Sequence, residues 1–176
     1  MTEIRDSIEP FVLVRVFDAP RELVFKAFTE VEHLRQWWGP KGFKVIAATM
    51  DFRSGGLYHY GLQAPDGTAM WGRFAYREIA APERIDYVNS FSDEKGGLAR
   101  HVFHEEWPLE ILSTLAFEDV GSGRTKVTLS WVPINENAVE RKTFDAGRQS
   151  MTQGWGGTFE KLDHYLAEVQ AGDRKV

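Results

Sequence analysis

Four residues able to hold a metal or move a proton cluster at His101, His104, Glu105 and Glu106. Histidine with carboxylate is a zinc-compatible set. The spacing H-x-x-H-E-E, however, is not the H-E-x-x-H pattern that places two histidines on one helical face. The surrounding stretch, 94–108, is polar and irregular, so a solvated loop is the expected setting, and long loops of this kind can serve as lids. Ser150 lies in SMTQGWGG, with no G-x-S-x-G turn and no preceding strand, which argues against a hydrolase nucleophile. Asp51, Asp86 and Glu110 offer acids or bases, but sequence alone pairs none of them. Neither G-x-x-x-x-G-K-[ST] nor G-x-G-x-x-G occurs. With no cysteine there is no thiol nucleophile, thiolate metal site or disulfide. We assign no catalytic residue and expect no metal and no cofactor.

The unusual resource is aromatic. Phe, Trp and Tyr make up 13% of the chain, with six tryptophans. Apolar and aromatic walls carrying a few polar groups are what small-molecule pockets are made of. The candidate ligand-binding set is Trp38, Phe52, Tyr58, Tyr60, Trp71, Phe74, Tyr87, Phe91, Trp107, Trp131, Met151, Trp155 and Phe159. Ordinary core packing competes with this reading at every one of them. Tyr58 and Tyr60, two apart on one expected strand, share a face and could aim hydroxyls at a ligand.

The elements that must position these residues follow from periodicity. FVLVRVFDA (11–19) reads as a strand with Val12, Val14 and Val16 on one face. Pro20 suits a first helical turn, and RELVFKAFTE follows with helical spacing. Thr29 to Glu32 reads as a capping box for a second short helix, which Gly39-Pro40 stops. From residue 43 the period becomes two. Strands are expected over 43–52, 57–63, 70–79, 85–93, 109–120 and 124–132, separated by turn signals such as PDG at 65–67. In strand 70–79 we expect Phe74 and Tyr76 inside, with Trp71, Arg73 and Arg77 opposite, unless a bulge intervenes.

After Pro133 the helical period returns, with Asn137 and Glu140 as a start signal. Met151, Trp155, Phe159, Leu162, Leu166 and Val169 form one apolar stripe. Three glycines, Gly154, Gly156 and Gly157, interrupt this helix around Trp155, each costing about 1 kcal/mol relative to alanine. We expect them to allow close approach to the sheet or a bend. The order predicts an α+β fold: a curved antiparallel sheet of six to seven strands wrapped around a long C-terminal helix, with two short helices after strand 1.

The bulk numbers narrow the partners. At 176 residues, 43% hydrophobic and 27% charged, the sequence is expected to be one domain spanning 11–170, with an N-terminal extension (1–10) and a tail (171–176). The net charge of -5 and the scattered basic residues disfavour nucleic acid or an anionic membrane as partner. No run approaches a membrane span and the first ten residues are polar, so a cytoplasmic location is expected. A monomer or a homodimer fits equally.

A series of motifs carries a family resemblance. They are AP at 19–20, WWGPKGF at 37–43, GG at 55–56, PDG at 65–67, YREIAAPERI at 76–85, FSDEKG at 91–96 and WPLEILSTLAFED at 107–119. The most specific is ERKTFDAGRQSMTQGWGGTFEKLDHYL at 140–166. From about residue 10 to 170 the chain resembles the activator of Hsp-90 ATPase homologue-like (AHSA-type) family of the START/Bet v-like SRPBCC superfamily. The resemblance implies the helix-grip fold. It also implies three roles: holding an apolar small molecule, acting as a chaperone partner, or catalysis of the polyketide cyclase or aromatase kind. In the eukaryotic co-chaperones a separate domain precedes the one resembled here. With ten residues before strand 1, none is expected in this sequence.

Overall fold

The computed structural model describes residues 8–173. Residues 1–7 of the expected extension and 174–176 of the expected tail lie outside that range. In chain order the elements are β1 (Phe11–Phe17), α1 (Arg21–Thr29), α2 (Val31–Trp37), β2 (Lys44–Met50), β3 (Leu57–Gln63), β4 (Ala69–Ala80), β5 (Arg84–Ser92), β6 (Glu110–Gly121), β7 (Arg124–Ile134), α3 (Ala138–Ala146) and α4 (Arg148–Asp173). The seven strands form one antiparallel sheet, ordered β1-β7-β6-β5-β4-β3-β2, so β1 and β2 are its edges. The expected α+β helix-grip architecture is present: a curved sheet with a long C-terminal helix across one face.

Side-chain alternation divides the sheet into a helix side and an outer side. On β1, Phe11 and Phe17 are buried while Val12, Val14 and Val16 face out, the first two more than half exposed. On β4, Phe74 and Tyr76 are buried as expected, and the strand carries a register shift between Tyr76 and Glu78. Trp71 faces outward. It stacks on His59, with ring centroids 5.3 Å apart, and covers Gly61, where a Cβ would stand 2.7 Å from the indole.

The core is densest beneath the C-terminal part of α4. There Phe17 meets Phe159, Phe28 meets Trp37, and Phe117 meets both Phe25 and Phe28, all edge to face at 4.9–5.4 Å. Such contacts add about 0.5–1.5 kcal/mol each beyond the area they bury. Leu162 and Leu166 close this end. A second aromatic layer lines the helix side of β3–β5: Tyr58 against Phe74, Phe74 stacked on Tyr87 at 4.3 Å, and Phe52 against Tyr76. The protein is therefore solid at one end of α4, and its free space lies at the other.

Three local expectations are corrected. Thr29 does not cap α2. It is the last residue of α1, its hydroxyl donates to the Phe25 carbonyl at 2.8 Å, and α2 starts from Glu30 with no side-chain cap. The segment after β7 is two helices, not one. Asn137 and Glu140 do form a capping box, but they open α3, which ends where the Gly147 N–H closes on the Thr143 and Phe144 carbonyls.

The glycines of α4 are the third. The helix runs unbroken through Gly154, Gly156 and Gly157. A Cβ on Gly154 or Gly156 would meet nothing within 4 Å, and one on Gly157 would meet only the Lys41 side chain at 3.5 Å. None of the three serves a close approach to the sheet.

Candidate functional site

The N-terminal half of α4 stands away from the sheet over a cavity of about 660 Å³, within the usual size of a small-molecule site. One wall is the sheet: Asn89, Ser90 and Phe91 of β5, Ile111 of β6, Trp131 of β7 and Tyr60 of β3. The opposite wall is helical, with Thr143, Ala146 and Gly147 at the α3–α4 break and Ser150, Met151 and Trp155 on α4. The loop between β5 and β6 supplies His101, His104, Trp107 and Pro108. Trp38, just past α2, forms the floor. A second, smaller space of about 240 Å³ adjoins it, sharing Trp38, Tyr60, Phe91, Trp131, Met151 and Trp155 and reaching Gly154.

Each wall has a local cause. Trp38 is held because the chain reverses at Gly39, whose φ of +98° favours glycine and whose would-be Cβ would press on Leu62 at 3.1 Å. The Gly39 carbonyl accepts from Thr158 Oγ1 at 3.3 Å and from Lys161 Nζ at 3.1 Å, pinning the turn to α4. Trp38 then packs edge to face on Tyr60, Phe74 and Trp155. Tyr60 fits because Gly72 lies opposite it, where a Cβ would overlap the Tyr60 hydroxyl. The β5–β6 pairing stops at Asn89–Ile111, so the strands part there and leave the cavity its opening.

The loop is fastened to α3. Arg100 Nη1 donates to Glu140 Oε1 at 2.6 Å and to the Trp107 carbonyl at 3.3 Å. Trp107 lies on Phe144 at 5.7 Å and against Gly147, where a Cβ would come within 3.1 Å of the indole. At the loop's start, the Asp93 carboxylate accepts the Lys95 and Gly97 N–H groups, and these bonds hold it below its usual acid range. His101 packs on Phe91 at 4.4 Å and beside His104 at 5.1 Å. Burial, with His104 adding to it, pushes His101 below the ordinary histidine value. Burial drives the Tyr60 phenol upward, so it remains a hydroxyl at neutral pH.

Seven of the thirteen expected ligand-binding residues come together at the larger cavity: Trp38, Tyr60, Phe91, Trp107, Trp131, Met151 and Trp155. Six do not. Phe52, Tyr58, Phe74 and Tyr87 are consumed in the aromatic layer behind it, and Phe159 belongs to the packed end of the core. Trp71 lies on the opposite face of the sheet. His101 and His104, weighed in the sequence as metal ligands, are instead cavity residues; among the described residues no three His, Cys, Asp or Glu side chains gather as a metal site.

Sequence reasoning missed Asn89, which lines the cavity, and the α3 wall. The signal for Asn89 was present: in IDYVNSFSD it occupies the same strand face as Tyr87 and Phe91. A polar residue on an otherwise aromatic inner face is informative.

A curved antiparallel sheet gripping one long helix, with a cavity between them, defines a helix-grip protein of the START/Bet v-like class. Within that class, the model of the family described as activator of Hsp90 ATPase homolog 1-like protein matches residues 18–167, and the chain belongs to that family. No curated protein matches it. Among solved structures it is similar to a protein from Arthrobacter aurescens at 26% identity and a TM-score of 0.75, covering 92% of this chain and 87% of that one. It also resembles a protein from Nitrosomonas europaea, at 23% identity and a TM-score of 0.73, over 94% and 99% of the two chains. The AHSA1 protein from Silicibacter pomeroyi shares the fold at 19% identity and a TM-score of 0.68, over 90% and 98%.

Proposed function

We propose that this protein holds a hydrophobic small molecule, lipid-like or aromatic, in the cavity beneath the N-terminal half of α4. The observation that carries the reading is the convergence of Trp38, Tyr60, Phe91, Trp107, Trp131 and Trp155 on one space of about 660 Å³. A packed core would close such a space, since an empty one forfeits dispersion contacts along its whole lining. Apolar ligand surface buried there contributes about 25 cal/mol per Å².

The test is native mass spectrometry of the freshly purified protein, then tryptophan-quenching titrations with a fatty acid, a sterol and a flavonoid-like aromatic. Saturable quenching by at least one of them is expected. Ala146→Trp, which fills the cavity from an exposed position on its rim, is expected to abolish that binding without lowering the melting temperature. No retained ligand and no saturation by any of the three would overturn the reading.

The family's name supplies a second reading, a chaperone partner. The outward valines of β1 favour it, because Val12 and Val14 are 53% and 51% exposed on an edge strand. Val12→Lys with Val14→Lys would remove chaperone capture in a pull-down under that reading and leave ligand binding intact.

A further inference from the structure

This inference rests on the cavity being a ligand site and concerns what that ligand is. None of the residues lining the cavity is Lys, Arg, Asp or Glu. The neighbouring cation, Arg100, is committed to Glu140 and to the Trp107 carbonyl. His101 Nδ1 accepts the Phe103 backbone N–H at 3.0 Å, which puts its single proton on Nε2 and opposes a second. Its burial acts in the same direction. Apart from the His104 imidazole, the space is thus walled by uncharged groups.

Two polar side chains of β5, Asn89 and Ser90, interrupt the aromatic sheet wall. Asn89 stands on the helix side of β5 between Tyr87 and Phe91, opposite Phe74 in the register. Asn89 is half-buried and its amide has no hydrogen-bond partner among the described residues, while the Ser90 hydroxyl and the Trp131 indole N–H of the same wall are buried without partners. A wall in which buried donors lack partners beside a half-buried amide favours a ligand that supplies an acceptor.

We infer that the ligand is a neutral aromatic molecule bearing a carbonyl, which accepts a hydrogen bond from the Asn89 amide, and that carboxylates are excluded. The aromatic walls select flat rings by offset and edge contacts. A carboxylate entering the same space leaves its hydration shell and meets no lysine or arginine in the lining. Asn89 is then the residue that sets ligand class, and the tryptophans supply the bulk of the affinity.

Three matched probes test this at about pH 7.5: 2-acetylnaphthalene, 2-ethylnaphthalene and 2-naphthoate, titrated by tryptophan quenching against wild type and Asn89→Leu. The ketone is expected to bind wild type roughly tenfold tighter than the hydrocarbon. The naphthoate is expected to bind at least roughly thirtyfold more weakly than the ketone. Asn89→Leu removes the ketone's advantage and leaves the hydrocarbon bound; Asn89→Ala serves the same comparison should leucine impair folding. Naphthoate binding level with the ketone, or a variant that weakens ketone and hydrocarbon equally, overturns the inference alone. Failure of both neutral probes to bind wild type overturns this inference alone if the fatty acid, the sterol or the flavonoid-like aromatic still saturates the protein, and overturns the container reading with it if none of them does.

Discussion

Trp38 and Trp155 meet edge to face with ring centroids 5.6 Å apart, joining the end of α2 to α4 across the junction of the two spaces. Trp155 also touches Trp131 at 5.5 Å and Phe159 at 5.3 Å, so one indole links the floor, the sheet and the packed core.

Trp155→Ala removes that link and merges the two spaces. Truncating a buried tryptophan destabilises by about 3–5 kcal/mol, and chemical denaturation would read this as a lower midpoint. Trp155→Phe retains a ring at the junction and is expected to lose less than half as much. Equal losses for the two variants would mean that a phenyl ring at the junction contributes nothing and that the whole effect belongs to the indole's own contacts to Trp38 and Trp131.

The glycines divide into two kinds, and alanine substitution separates them. Gly156→Ala places a methyl in open space on a continuous helix, and is expected to stabilise by roughly 0.4–1 kcal/mol through the unfolded chain. Gly72→Ala drives a Cβ into Tyr60, and is expected to destabilise by about 1–3 kcal/mol as overpacking. Paired melting curves settle both. A destabilised Gly156→Ala would favour the bending role that the sequence suggested for that glycine.

The same contrast shows which parts of the molecule a sequence reader can see. Strands, short helices and fold class follow from periodicity, because each element has one apolar face and the chain has one long helix to cover the sheet. The cavity was half legible. Aromatic residues announced it, but spacing could not tell Tyr60 at its wall from Tyr58 behind it, since both lie on the helix side of β3 and differ only in what packs over them. Trp71 stands among the expected ligand residues although the alternation of its strand already sets it opposite Phe74 and Tyr76. In MWGRFAYREI its partners on one face are arginines, and only its stacking on His59 explains an outward tryptophan. The α3–α4 break was hidden because Gly147 resembles the glycines that follow it, yet it alone carries Trp107 against its backbone.

Arg100 ties the β5–β6 loop to α3. Glu140 is 5% exposed and also caps α3, so Arg100→Ala strands a buried carboxylate beside an emptied position. Because the arginine itself is half exposed, the expected loss is about 1.5–2 kcal/mol, the lower part of the range for bonds to charged groups. The more specific outcome is local. Amide exchange over residues 98–108 is expected to accelerate while the exchange of β6 and β7 does not. A uniform acceleration throughout the protein would show that the pair holds the whole fold and not the loop.

His101 makes stability depend on pH in one direction. Its folded value lies below the ordinary 6.5, from burial first and His104 second. The unfolded chain therefore takes up this proton first as pH falls, and between the ordinary and the depressed value it binds more protons than the folded protein. The contribution is fully present above about pH 6.5 and is lost as pH falls through that window. His101→Gln keeps a polar side chain against the Phe103 N–H and cannot titrate. Urea midpoints taken from about pH 7.5 down to about pH 5 are expected to fall more steeply for wild type than for His101→Gln. Parallel curves would mean that His101 is as free to take its proton in the folded protein as in the open chain, and the closely packed loop would then have to be abandoned.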